Sequence, residues 1–477
     1  MNADSDSPGP CTRATTMTRR DFLGLGLAAT TSGIWLPRIP APSRIIPSTR
    51  QLAWQNARMG VFIHFGINTF TGREWGDGTE SPEDFNPSAL DARQWAHTAR
   101  SAGFRYIILT AKHHDGFCLW PSRVTAHSVK NSPWRGGNGD VVREFVDAAA
   151  GEGLGAGLYL SPWDRHEPTY GDNARYNDFY VEQLTELLTW YGSITEVWFD
   201  GANGEGPNGR RQTYDWERVH RTVRKLQPDA LMFSDAGPDI RWVGNEEGAA
   251  GDPNWCTVDP ARVPAPGVSS PEIIDALQHG DPPSDVTVWR PAEAPVSVRP
   301  GWFWHESEDA KVKSAEDLFE LYCRCVGRNA NLLLNVPPGR DGLLQPADVR
   351  ALDRFGARLR SAFGEDRARK GLVRREAGSF EITLPEFAEF DTAVMKEEIA
   401  AGQSIARYDL EVWRHGAWEQ IARGTTVGRE KIDRFTPVTT GKMRLVVRES
   451  ADSPRIGSIA LYRTGTPPPG GRNGPHR

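Results

Sequence analysis

Between residues 52 and 363 the chain alternates short unbroken apolar runs with longer stretches in which apolar positions recur every three or four residues. The runs are MGVFIHFG (59–66), RYIILTAKHHDGF (105–117), GAGLYLSPWD (155–164), EVWFDGANG (196–204), LMFSDAG (231–237), RWVGNEEG (241–248), GWFWHESE (301–308) and ANLLLNVPP (330–338). They are rich in β-branched and aromatic residues and show little alternation, as parallel strands covered on both faces require. The intervening stretches, such as GDVVREFVDAAAGEG and NDFYVEQLTELLTWYG, carry the helical period. About eight such units predict a closed (β/α)8-like TIM barrel over residues 48–366. Past Lys370 the period changes to two. YDLEVW and KMRLVV read as half-buried antiparallel strands, and residues 372–464 are expected to form a β-sandwich.

The ends of the chain differ from both. Arg19–Arg20 stand before a modest apolar run rich in Gly and Ala, and a Pro/Ser stretch follows. Residues 1–47 therefore resemble a twin-arginine export signal with its linker, which implies a bacterial periplasmic or extracellular protein. The apolar run is too short to span a membrane. The tail, 465–477, is Pro/Gly-rich and expected to be disordered.

Composition narrows the partners. A net charge of −6 and a pI near 6.1 give no basis for nucleic-acid or anionic-membrane binding. The 17 Trp suit stacking on sugar rings as well as core filling. The five cysteines include no C-x-x-C spacing, so they are expected to be incidental thiols, and a disulfide at Cys256 cannot be assigned.

In a parallel barrel, chemistry sits at the carboxyl ends of the strands. The predicted strands end at His64, His113–His114, Trp163, Asp200, Glu246 and His305. Asp200 follows an apolar strand and precedes Gly201 and Ala202, so it is either a turn-former or a carboxylate held rigidly with an open approach. Paired with a glutamate of the Gly-flanked loop GNEEG, it would suit glycoside hydrolysis, which needs a nucleophile or base and a proton donor. The adjacent histidines of KHHDGF lack a third ligand at a metal-type spacing, so hydrogen bonding to hydroxyls is their expected use. Glu74 and Trp75, in TGREWGDG, place a polar handle beside a stacking ring. No G-x-G-x-x-G follows the first strand, which argues against a dinucleotide.

Together MGVFIHFGINTF, EWGDG, YIILTAKHHDGFCLW, GLYLSPWD, VWFDGA and NLLLNVPP resemble the α-L-fucosidases of glycoside hydrolase family 29, over about residues 51–363. The resemblance implies a retaining enzyme without cofactor or metal, acting on a fucosylated oligosaccharide or glycoconjugate. It implies Asp200 as nucleophile and His64, His113 and His114 as fucose ligands. Glu74, Trp75 and the strand-end Tyr159 match the family's pattern, Trp198 falls where an aromatic lines the pocket, and Arg241 matches an R-W-x-G arginine. IRWVGNEEG is similar to the branch selective for α-1,3/1,4-linked fucose, which assigns the acid/base to Glu246, with Glu247 open as the alternative. The sandwich resembles discoidin-like carbohydrate-binding modules. A hydrolase of another deoxysugar or galactoside, and a non-catalytic glycan binder, remain as other readings.

Overall fold

Eight parallel strands close on themselves in the computed structural model, which describes residues 45–376 and 378–465. The expected signal (1–44 of it) and the tail from 466 lie outside the described residues. In chain order the first six barrel strands are β1 (Met59–Ile63), β2 (Tyr106–Lys112), β3 (Gly155–Leu160), β4 (Glu196–Trp198), β5 (Leu231–Ser234) and β6 (Ile240–Trp242). A two-stranded ribbon, β7 (Thr257–Val258) with β8 (Val288–Trp289), interrupts them before β9 (Ala292–Ser297) and β10 (Asn331–Asn335) complete the circle. Four of the surrounding helices start alike. Asp91, Asp140, Asp172 and Asp215 each cap the next helix by accepting a backbone N–H from its first turn, which satisfies donors the helix itself leaves free.

Both faces of the strands are covered, and strand parity separates two cores. Phe62, Tyr106, Ile108, Tyr159, Trp198, Phe233 and Leu333 fill the barrel axis. Val61, Ile63, Ile107, Leu109, Val197 and Leu334 pack outward under the helices. The helix Thr49–Ala57, started by a Ser48–Gln51 capping box, plugs the amino-terminal mouth with Trp54.

Two features depart from expectation. No helix separates β5 from β6, only residues 235–239. The seventh barrel strand is β9, at 292–297, and not the GWFWHESE run; residues 301–305 form a loop over the barrel mouth instead. The strand was hidden because Ala-Glu-Ala-Pro-Val-Ser carries a proline, which cannot donate to a ladder, and a glutamate, a residue rarely buried alone.

That glutamate, Glu293, is fully buried inside the barrel beside Glu196. It accepts from Tyr106 Oη at 2.6 Å and from Trp198 Nε1 at 3.1 Å, while Glu196 accepts from Trp54 Nε1 at 2.9 Å. Burial pushes Glu293 up to about 7 and raises Glu196 as well, helped by the Glu293 charge. A carboxyl with a raised folded-state pKa stabilises the fold at low pH and loses that contribution as pH rises through the folded value. The melting temperature is therefore expected to fall between about pH 5 and pH 8. Glu293→Gln should flatten that slope while lowering the whole curve, because an amide cannot accept from both donors. Parallel melting curves for the two proteins would refute the assignment.

The C-terminal region is antiparallel. Strands β11 (Leu372–Glu376), β12 (Ser379–Glu397), β13 (Ile405–Arg414), β14 (Ala417–Gly424) and β15 (Lys431–Ser450) order as β11-β12-β15-β13-β14, and β16 (Ile456–Tyr462) also pairs β12. The two long strands shift register at Thr383/Ala388 and Phe390/Thr392. Their halves thus belong to different parts of the sheet, yet Phe380, Ile382, Met395, Leu445 and Leu461 share one core. The sheet is tied to the barrel by Arg434–Glu320 and by Lys431–Asp252 at 2.8 Å. Cys118, Cys256, Cys323 and Cys325 are buried free thiols.

Candidate active site

At the carboxyl ends of the strands lies a cavity of about 270 Å³, just below the usual range for ligand sites, roughly 300–1,000 Å³. Asp200 reaches it because it stands two residues beyond Trp198 and continues the axis-facing side of β4, while Phe199 packs outward. Its Oδ2 accepts from Tyr159 Oη at 3.1 Å and its Oδ1 from the Ala202 N–H at 2.7 Å. Two donors from separate segments fix the carboxylate in one orientation. The next residue must be small, since a β-carbon on Gly201 would stand 1.8 Å from Asp235 Oδ2.

Three buried histidines form the polar wall. His64 Nδ1 lies 2.8 Å from Asn335 Oδ1, and the Asn335 amide nitrogen donates to Ser297 Oγ and the Trp302 carbonyl. With that network the Asn335 oxygen is the acceptor, so the His64 proton sits on Nδ1 and Nε2 is left to accept. His114 Nδ1 is 2.7 Å from Ser161 Oγ, which itself donates to the Trp163 carbonyl. His114 is therefore also protonated on Nδ1, and its Nε2 stands 4.0 Å from Asp200 Oδ2. Burial lowers the pKa of all three, His64 to about 3. At neutral pH they are uncharged hydrogen-bonding groups, which suits hydroxyls better than ions.

Glu246 faces this wall from the loop after β6. It is exposed on its loop, yet surrounding protein and then the Asp200 charge raise its pKa above the ordinary glutamate value, with Trp302 opposing. Such a shift keeps a carboxyl protonated further toward neutrality, as a proton donor needs. Glu247 is exposed and outside the cavity lining.

His64, Glu74, Trp75, His113, His114, Trp198, Asp200 and Glu246 all line the cavity. Tyr159 stands behind them, holding Asp200. Glu74 also has partners within the protein. Its Oε2 accepts from the Trp302 N–H at 2.8 Å and its Oε1 pairs with His305 Nε2 at 2.8 Å, so it braces the loop 301–305 against its own. Trp75 is 58% exposed, edge-on to His114 and Trp163. Arg241 does not join the site. It is fully buried, and its guanidinium donates to the Leu277 and Trp255 carbonyls and to Asn254 Oδ1. Its neighbours in β6 explain this, because Ile240 faces the barrel axis and the next side chain must face away.

Among the lining residues that sequence patterns missed are Trp242, Trp302 and Asp235. Trp242 ends β6 and Trp302 lies in the 301–305 loop, and nothing in the sequence distinguishes either from a core tryptophan. Asp235 directly follows β5 and accepts from the Gly267 N–H at 3.1 Å. Burial, then the Asp200 charge, pushes it up to about 6.

A carboxylate pinned at one strand end, facing a glutamate of raised pKa across a small cavity walled by neutral histidines and tryptophans, is how barrel glycoside hydrolases are built. The comparisons give the particular kind. The Alpha-L-fucosidase family model matches residues 76–362. The chain is 42% identical over 476 residues to Alpha-L-fucosidase 1 of Arabidopsis thaliana, covering 92% of each chain. A crystal structure of a putative α-L-fucosidase from Bacteroides ovatus superposes with a TM-score of 0.81 at 43% identity, covering 88% of this chain and 74% of that one. A Ruminococcus gnavus glycoside hydrolase 29 fucosidase in complex with fucose superposes with a TM-score of 0.76 at 29% identity, covering 89% and 96%. The chain belongs to the α-L-fucosidase family.

Proposed function

We propose that this glycoside hydrolase removes terminal α-L-fucose by double displacement. Asp200 attacks the anomeric carbon as protonated Glu246 gives its proton to the departing sugar oxygen, and the C–O bond breaks. Water then attacks the fucosyl-enzyme, yielding its proton to Glu246 and releasing Asp200. One observation carries the assignment: Asp200 and Glu246 line the same cavity while Glu247 does not, and Asp200 is held there by Tyr159 and Ala202. The uncharged Nε2 atoms of His64 and His114 are free to accept from ring hydroxyls, and Trp198, Trp242 and Trp302 offer apolar faces to the ring and its methyl. The fucose held by the Ruminococcus gnavus relative supports the sugar.

The linkage is part of the same proposal. IRWVGNEEG, in which Glu246 follows Gly244-Asn245, resembles the branch selective for α-1,3 and α-1,4 fucosyl bonds, which supports branched, Lewis-type oligosaccharides as substrates. Incubation with Lewis-type trisaccharides beside a 1,2-linked fucoside should release free fucose from the former and leave the latter largely intact. Equal release from both would remove the linkage assignment while leaving the fucosidase one. The paired arginines Arg19–Arg20 before their apolar run further suggest export in folded form.

A further inference from the structure

At the opposite, amino-terminal end of the barrel, a groove of about 790 Å³ runs along the seam with the C-terminal sheet, larger than the 270 Å³ cavity above the strands. Six of its lining side chains are cationic and only Glu430 is anionic, in a chain whose net charge is −6. The excess is concentrated. Arg58, Lys396 and Arg429 all converge on Glu430 Oε2, at 2.8, 3.3 and 3.4 Å, so one carboxylate serves three positive charges and leaves two uncompensated. Glu430 has no spare capacity, since its Oε1 takes the Tyr322 hydroxyl at 3.2 Å. The Arg58 Nε is buried without an acceptor. Arg58 also holds φ 65°, a backbone conformation unfavourable for a residue with a side chain, as it turns from the plug helix into β1. Arg100 and Arg105 also line the groove, and among the described residues neither has a carboxylate partner. Burial, with the neighbouring Arg58 charge, depresses Lys396 and Arg429, whereas Arg58, nearest Glu430, is raised against burial, so the cost of crowding falls on the two cations Glu430 serves least, and a bound anion would relieve it.

We propose that this seam groove binds a doubly charged oxyanion, a sulfate or phosphate group, either free or as an ester on a saccharide. At least two uncompensated charges in one groove call for a dianion, and guanidinium forks match the oxygens of sulfate and phosphate in geometry. The proposal is independent of the activity at the other end of the barrel. Titration calorimetry of the full chain with sodium sulfate, sodium phosphate and a sulfated disaccharide, at ionic strength fixed by chloride, tests it. At least one should bind with a Kd of about 1 mM or tighter. The double variant Arg100→Glu/Arg105→Glu should weaken that binding about tenfold or more, whereas Arg423→Glu, an exposed arginine of β14, should not. Unchanged melting temperatures would show that both variants fold. Tighter binding of the sulfated sugar than of sulfate identifies an ester, and equal binding identifies the free ion. No heat up to about 10 mM, or loss no greater in the groove variant than in Arg423→Glu, would overturn the proposal.

Discussion

Asp200→Ala is expected to lower turnover of an aryl α-L-fucoside by roughly 10⁴-fold or more, the scale on which covalent catalysis fails without its nucleophile. The substitution removes both oxygens that Tyr159 and Ala202 orient and leaves a small space on the face of the ring opposite the leaving group. Azide should enter that space and restore part of the rate. A single displacement by azide inverts the anomeric centre, so the product should be the β-fucosyl azide. Two other results would sink the assignment: near-normal activity, or an azide product of retained α configuration. The variant exposes a tyrosine hydroxyl and one N–H rather than a hydrophobic core, so its melting temperature should stay close to the parent's.

The second large effect is expected at Glu246. Its pKa is raised by the surrounding protein and then by the Asp200 charge, so the donor form survives to higher pH than in an ordinary glutamate, and activity should decline as pH rises through that raised value. Glu246→Gln can neither donate nor accept the proton. It should lower kcat/KM on Lewis-type trisaccharides by about 10²–10⁴-fold and abolish the alkaline limb of the pH profile. Aryl fucosides with acidic leaving groups need little protonation, so their first step should be much less affected. If Glu247→Gln gave this pattern and Glu246→Gln did not, the roles of the two neighbours would have to be exchanged.

Asp200 shows why sequence leaves such questions half answered. By pattern it was either a turn-former or a reactive carboxylate, and it is placed to be both: Oδ1 closes a turn onto the Ala202 N–H while Oδ2 meets Tyr159 at the cavity. The turn is local and follows from residue type. The Tyr159 contact joins positions 41 residues apart and depends on neighbouring strands being in register. Arg241 makes the complementary point, since its motif placed it in the site while the parity of β6 sends it to the far side.

The pattern along the chain was enough to read the class of fold, the switch to antiparallel strands near residue 370 and about half of the cavity's lining, because barrel strands are buried on both faces and end in polar residues wherever their carboxyl ends reach a site. Tertiary structure alone decided which of two adjacent glutamates faces Asp200, that Glu74 braces a loop, that Asp235 and Trp302 join the cavity, and that β9 carries a buried glutamate. Those outcomes depend on loop paths and on charges meeting across the barrel. Such long-range couplings set pKa values and orientations without leaving a periodic trace along the chain.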